Sequence, residues 1–196
     1  MVNPDSIQKL RVFISRITEI PDDQWEYFAD QLAERNYQKE QMILFAGEVV
    51  SEFYYILEGL VRYFYVTAEG KEFNKAFAKE NDFAGSISGF VSDIPSRFFI
   101  QAIEDTKVLV LPTSLIKECY DRHPSWERLG RRLAERLALQ KELREASFLL
   151  DSAETRYRHF LQEFPDISSR MPQYHIASYL GITEVSLSRI RNKNQN

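Results

Sequence analysis

Five side chains near the end of this chain have the types and spacing to read the edges of base pairs. Glu184, Val185, Ser188, Arg189 and Asn192 fall on one side of an expected helix, because residues three and four apart share a helical face. In a major groove an arginine such as Arg189 can pair with guanine O6 and N7. A glutamate such as Glu184 can accept from cytosine N4, and a valine such as Val185 can meet a thymine methyl. Thr183 and Ser186 stand beside them with hydroxyls suited to phosphate oxygens.

Two short helices around a tight turn are needed to aim these groups. Between Met171 and Lys193, Pro172 suits a first helical turn, and Ile176 and Leu180 share a face with small Ala177 beside them. Gly181 can take the left-handed conformation that ends the first helix. Ile182 plugs the corner, Thr183 is a suitable N-cap, and Leu187 and Ile190 turn the second helix back onto the first. A small residue at the crossing, a glycine in the turn and an apolar set holding the angle are the requirements of a helix-turn-helix. A plain helical hairpin with a solvated face would use the same residues.

Composition narrows the classes. Of 196 residues, 44% are hydrophobic and 28% charged, proportions of a soluble globular chain with a real core. No apolar run reaches membrane-spanning length, and Met1-Val-Asn-Pro-Asp5 lacks a secretory signal, so a cytoplasmic protein without a membrane partner is expected. Cys119 is the single cysteine, which excludes an intrachain disulfide and an all-cysteine metal cage. Net charge is −4; residues 1–150 hold 19 basic and 24 acidic side chains, and residues 151–196 hold 6 and 5. The electrostatic footprint for nucleic acid is therefore weak, and affinity driven by phosphates alone is not expected.

Upstream, Ile7, Leu10, Phe13, Ile14 and Ile17 predict an amphipathic helix over Ser6–Ile20, and Trp25, Phe28, Ala29 and Leu32 line a second one after Pro21. From about Asn36, short β-branched and aromatic segments alternate with turns: Met42–Phe45, Phe53–Leu57, Leu60–Val66, Glu72–Ala78, Phe98–Ile103 and Val108–Leu111. That spacing predicts an antiparallel jelly-roll barrel in an α+β protein. A helix over Thr113–His123 follows, and then a long one from Trp126. Its heptad positions are Trp126, Leu129, Leu133, Arg136, Gln140, Leu143, Ser147 and Leu150, with Leu137 and Phe148 widening the stripe. Leu129, Leu133, Arg136, Gln140 and Leu143 are the expected seam of a homodimer, against the alternative of packing on the barrel. The expected domains are 1–123 (helices and roll), 124–150 (long helix) and 151–196 (helix-turn-helix).

This order of parts resembles the cyclic-AMP receptor protein/FNR (Crp/Fnr) family of bacterial transcription regulators over nearly the whole chain. The carrying residues are Phe45-Ala-Gly47-Glu and Phe53-Tyr-Tyr-Ile-Leu-Glu-Gly59-Leu-Val-Arg62 in the roll, and Ile176–Arg191 at the end. The resemblance implies an antiparallel β-roll sensor, a long dimerisation helix and a helix-turn-helix, two of which would read a near-palindromic double-stranded DNA site. It also implies an effector pocket between two strands, where members that bind cyclic nucleotide carry a Gly-Glu pair followed by Arg-Ser or Arg-Thr. The residues of the corresponding stretch are Gly85, Ser86, Ser96, Arg97 and Phe98, of which Gly85 and Arg97 match. Ser86 replaces the glutamate expected on the ribose and Phe98 the hydroxyl expected on the phosphate, so cyclic AMP is not the expected effector. Arg97 reads equally as a surface arginine at a strand start.

No other cofactor is expected. One cysteine cannot ligate an iron–sulfur cluster, and His123, His159 and His175 all lie outside the predicted roll, so no metal set forms there. No nucleophile–base pairing or phosphate-binding glycine loop stands out, and an enzyme is not expected. Expected partners are DNA, a second copy of the chain, RNA polymerase and an unidentified small-molecule effector. The family usually adds a β-hairpin wing after the recognition helix, which this sequence does not provide in full. The alternative function is a ligand-binding or protein-interaction module with a degenerate DNA-binding domain.

Overall fold

The computed structural model describes residues 2–193. By compactness the chain divides into two units, residues 1–63 with 77–135 and residues 64–76 with 136–196, and the boundaries run through elements rather than between them.

The first unit opens with α1 (Pro4–Ser15), whose N-cap Asn3 accepts from the Asp5 amide and whose Pro4 occupies the first turn. The helix ends at Ser15, five residues short of the sequence expectation, and the chain turns back with Ile17 and Thr18 amides both donating to Ile14 O. α2 (Asp22–Ala29) carries Asp22 and Asp23 at its positive end and buries Trp25 and Phe28.

The roll follows as β1 (Ala33–Tyr37), β2 (Met42–Leu44), β3 (Glu52–Glu58), β4 (Leu60–Val66), β5 (Glu72–Lys79), β6 (Phe83–Ala84), α3 (Ile87–Ser92), β7 (Phe99–Ala102) and β8 (Thr106–Pro112). Two four-stranded sheets form, ordered β1-β8-β3-β6 and β2-β7-β4-β5. Their assigned pairs are antiparallel, with Ala33 opposite Val110, Tyr55 opposite Leu109 and Tyr54 opposite Ala84.

β3 explains the architecture. Successive side chains point to opposite faces, yet Tyr54, Tyr55, Ile56 and Leu57 are all buried. Tyr55 and Leu57 join Leu109 and Leu111 against Leu10, Ile14, Trp25, Phe28, Leu115, Cys119, Trp126 and Leu129. Tyr54 and Ile56 therefore face the other way, into the roll. The helices on this core are α1, α2, α4 (Thr113–Arg122) and the start of α5 (Pro124–Leu150).

The second unit holds the β4–β5 tip, the later half of α5, α6 (Ala153–Glu163), α7 (Ile167–Arg170), α8 (Gln173–Leu180) and α9 (Glu184–Lys193). Ser152 caps α6 by accepting from the Thr155 amide at 3.1 Å, a contact type worth about 1 kcal/mol. Its core is Tyr157, Phe160, Phe164, Ile167, Met171, Ile176, Tyr179, Leu180 and Leu187. The Phe160 ring centre lies 5.4 Å from Phe164 and 5.6 Å from Tyr179.

Candidate nucleic-acid interface and sensor cavity

α8 and α9 meet around a turn whose chemistry is local. Gly181 has φ 68°, a left-handed conformation that few side chains adopt cheaply, and its amide donates to Ser178 O. A methyl group added there would lie 2.9 Å from the Phe148 ring, so the position is restricted by space as well as by backbone. The Ile182 amide reaches back to Ala177 O at 3.0 Å, closing the helix end. Thr183 caps α9: its Oγ1 accepts from the Ser186 amide at 3.2 Å, and the two hydroxyls lie 2.9 Å apart. Ile176, Ala177, Leu180 and Leu187 are buried where the two helices cross.

The face of α9 expected to read base edges stays open. Glu184, Val185, Ser188, Arg189 and Asn192 are all exposed, as is Thr183, while Ser186 is half-buried. Neither Glu184 nor Arg189 has an intramolecular partner among the described residues, whereas Lys193 binds Glu154 at 2.9 Å. One support of α8 is invisible in sequence: the β5 residue Asn74 is buried against it. Its Nδ2 donates to His175 O at 3.0 Å and lies 3.1 Å from His175 Nδ1, and its amide donates to Ser178 Oγ at 2.9 Å.

In the roll, the five residues expected around an effector have different surroundings: Gly85 and Phe98 both touch Tyr63, Ser86 and Ser96 are buried, and Arg97 is exposed. Gly85 alone among them lines the open cavity, which holds about 420 Å³ between Ile43, Leu44, Val49, Val50, Glu48, Ser51, Glu52 and Tyr54. Gly85 is pressed against Phe53, with a hypothetical Cβ only 2.3 Å from the ring, and its amide donates to the Tyr63 hydroxyl at 3.2 Å. Ser86 is fully buried with its hydroxyl 3.1 Å from that of Ser88. Ser96 is buried too: its Oγ donates to Phe98 O at 2.8 Å, and its amide donates to Glu48 O. Phe98 is packed inside, 5.6 Å from the Tyr63 ring, while Arg97 is exposed. Burial pushes the Tyr63 phenol up, so it is a neutral hydroxyl in this interior.

The polar end of the cavity is already neutralised. Glu52 receives Arg35 through two bonds, Nη1 to Oε2 at 2.7 Å and Nη2 to Oε1 at 3.0 Å, and also accepts from the Tyr54 hydroxyl at 2.9 Å. The Arg35 hydrogen bond holds the Glu52 carboxyl below its usual range, against the opposing effect of burial.

Along α5 the expected seam divides. Leu129 is buried in the first unit's core and Leu133 packs against it, so these two already face the chain's own interior. Arg136, Gln140 and Leu143 are exposed. The large apolar side chains of α5 left exposed are Leu139, Leu143, Phe148, Leu149 and Leu150; with Ala146, the series 139, 143, 146, 150 follows a 4-3-4 spacing along one stripe. Leu143 and Leu150 belong to both this stripe and the heptad read from Trp126, whereas Leu139 belongs to the stripe alone and Gln140 to the heptad alone.

Among the described residues no helix is long and apolar enough to cross a membrane, and no group of three His, Cys, Asp or Glu could hold a metal. His123 is instead tied to Ser125, whose amide donates to Nδ1 at 3.2 Å.

This geometry finds its counterpart among known proteins. The family model described as the cyclic nucleotide-binding domain matches residues 34–123. FixK2 of Bradyrhizobium japonicum is 24% identical with a TM-score of 0.72, the match covering 83% of each chain. A CooA variant of Carboxydothermus hydrogenoformans is 19% identical with a TM-score of 0.70, over 94% of this chain and 84% of that one. A chain of Eubacterium rectale assigned to the Crp/Fnr family of transcriptional regulators is 18% identical with a TM-score of 0.71, over 90% of this chain and 84% of that one. No curated protein matches the chain significantly. Over residues 34–123 the roll is thus similar to the cyclic nucleotide-binding domain. The chain as a whole has the fold of the Crp/Fnr transcription regulators.

Proposed function

We propose that this protein is a homodimeric, sequence-specific DNA-binding transcription regulator of the Crp/Fnr type, with a roll that does not take cyclic AMP. The observation that carries the reading is the reading face of α9. Five side chains able to contact base edges stand exposed on a helix whose opposite side is anchored by Ala177, Leu180 and Leu187. Two such helices, one per copy, would contact half-sites about one helical turn apart.

The assignment against cyclic AMP rests on the filled phosphate seat. A cyclic phosphate in this domain family needs amides and an arginine converging on it. Here the Gly85 amide donates to the Tyr63 hydroxyl, Phe98 packs against the Tyr63 ring, and Arg97 is exposed. Loss of each charge-assisted bond would cost about 1.5–3 kcal/mol.

Selection of random duplexes, followed by fluorescence anisotropy on the enriched sequences, tests this directly. A near-palindrome bound with salt-dependent affinity is the expected result. Absence of enrichment at low salt by a folded dimer would favour the second reading, an interaction module with a degenerate reader. The weak positive charge of α9, with Lys193 bound to Glu154, is the observation on that side.

A further inference from the structure

A helix-turn-helix can recognise a half-site alone, but two readers recognise a palindrome only if each is held at a fixed angle to the element that pairs them. The second unit contains both parts, the later half of α5 with its exposed leucines and the α8–α9 pair. What joins them is a pair of arginines acting on the end of α8.

The last carbonyls of a helix have no partner within it. At the end of α8, Arg144 of α5 donates from Nη2 to Tyr179 O at 2.9 Å, and Arg156 of α6 donates from Nε to Leu180 O at 3.2 Å. Arg156 also donates from Nη1 to Asp151 O at 2.8 Å, so the same guanidinium grips the α5–α6 turn. Aromatic rings hold both in place. The Arg144 guanidinium carbon lies 3.7 Å from the Tyr179 ring centre and 4.8 Å from that of Phe148, and Arg156 lies 5.1 Å from Phe148. Phe148 in turn fills the space beside Gly181, at the corner between the two helices.

Each cation also sits at the negative end of the α8 dipole, where positive charge is favoured. Neither has a carboxylate partner among the described residues, so their directed bonds go to main-chain oxygens. Arg144 directly follows Leu143, so the apolar stripe and the clamp on the reader are one residue apart on the same helix. A planar, multiply donating guanidinium stacked on rings transmits orientation in a way that a flexible ammonium does not.

We infer that Arg144 and Arg156 are positioning residues that lock the reader onto the pairing helix, and so set the separation between half-sites that the dimer accepts. This rests on the DNA-binding reading above. It concerns neither base contacts nor the fold of the reader, and its signature differs from both.

The test is a spacing series. Two copies of the selected half-site are placed on duplexes whose centre-to-centre separation changes one base pair at a time, and binding is measured for wild type and for the Arg144→Met/Arg156→Met pair. Wild type should prefer separations near one helical turn, by at least tenfold over separations two base pairs away. In the double variant this preference should fall to about twofold, while discrimination between the correct half-site and one with a changed base stays the same. A variant with an unchanged spacing profile overturns the inference and leaves the DNA-binding reading intact. A wild type without any selected half-site overturns the reading itself, and the inference with it. Should the double variant fail to fold by circular dichroism, Arg144→Met and Arg156→Met are scored singly, and unchanged profiles in both overturn the inference. Arg144→Lys keeps the charge but loses the stacked plane, so it should restore affinity more than spacing preference.

Discussion

The exposed stripe on α5 allows the association of two copies to be predicted with a magnitude. Leu139 is 56% exposed and Leu143 61% exposed. Full burial of a leucine is worth roughly 1.5–3 kcal/mol, so covering what remains exposed would contribute about 1–1.7 kcal/mol for each side chain. Two residues on two copies give roughly 4–7 kcal/mol before the cost of ordering the interface. Leu139→Ser/Leu143→Ser should therefore weaken the dimer by at least a hundredfold, allowing a generous discount for incomplete burial. Sedimentation velocity across a wide concentration range measures this directly. Gln140→Ala is the control: in the heptad register read from Trp126 it sits in the seam, whereas on the exposed stripe it lies at the edge. It should change association by less than about 0.5 kcal/mol. A monomeric wild type, or a double-serine variant that dimerises as tightly as wild type, would refute the reasoning. A large effect from Gln140→Ala alone would restore the earlier register.

Other expectations follow from single sites. Arg189→Ala should weaken specific binding by about 1–3 kcal/mol and relax one position per half-site, as read by anisotropy on a panel of changed bases. Burial, with Lys141 as a lesser cause, lowers the Lys75 ammonium to about 8. Since the folded pKa lies below the ordinary lysine value, the unfolded chain binds more protons between pH 8 and 10.5, and stability rises with pH across that window. Lys75→Met should stabilise the protein at pH 7 by about 1–2 kcal/mol, after discounting for partial exposure, and its advantage in Tm should shrink by pH 10. Cys119 is buried and its thiol is pushed up to about 11, chiefly by that burial. Thiolate is then scarce at pH 8, and alkylation of the native protein should be slow until denaturant opens the core.

Local chemistry was the part legible in advance. Ala177, Gly181, Thr183 and Leu187 specify the helix-turn-helix within eleven residues, and the structure places the two helices and the cap accordingly. Most roll strands were also readable, because Phe53–Leu57 and Val108–Leu111 are strongly apolar. β1 was not, since Ala-Glu-Arg-Asn-Tyr buries Tyr37 alone and its pairing with β8 comes from far along the chain. Two-residue β6 and four-residue α7 carry too little periodicity to detect. At the effector positions Gly85 and Arg97 match the family pattern by type, but the partner of the Gly85 amide is Tyr63, from another strand, which a pattern of types does not include. On α5, two apolar stripes share one helix. Trp126 lies 4.7 Å from the Phe28 ring and belongs to the interior, while Leu139 and Leu143 face outward. A heptad count weighs both stripes alike, because spacing does not say which partner each one meets.

Charge sets the last expectation, and it separates this reader from a strongly basic one. Among the described residues, Arg189 and Arg191 are the cations of α9 without an acidic partner, while Lys193 is held by Glu154 at 2.9 Å. Two copies then bring about four cations to the phosphates, and each neutralised phosphate contributes about −0.9 to the slope of log K against log salt, giving roughly −4. Between about 50 and 200 mM salt such a complex would lose on the order of a hundredfold in affinity, where one with six to ten phosphate contacts loses a thousandfold or more. The acidic balance of residues 1–150, with 24 acidic against 19 basic side chains, gives no reason to expect a steeper dependence from the rest of the chain. Anisotropy titrations at several salt concentrations give the slope directly. A value steeper than about −7 would mean that basic residues beyond α9 reach the phosphates, and that the footprint extends well outside the helix-turn-helix. A slope near −4 with a retained palindrome preference would place most of the discrimination in Glu184, Val185, Ser188, Arg189 and Asn192, where loss of any one base contact should be felt strongly.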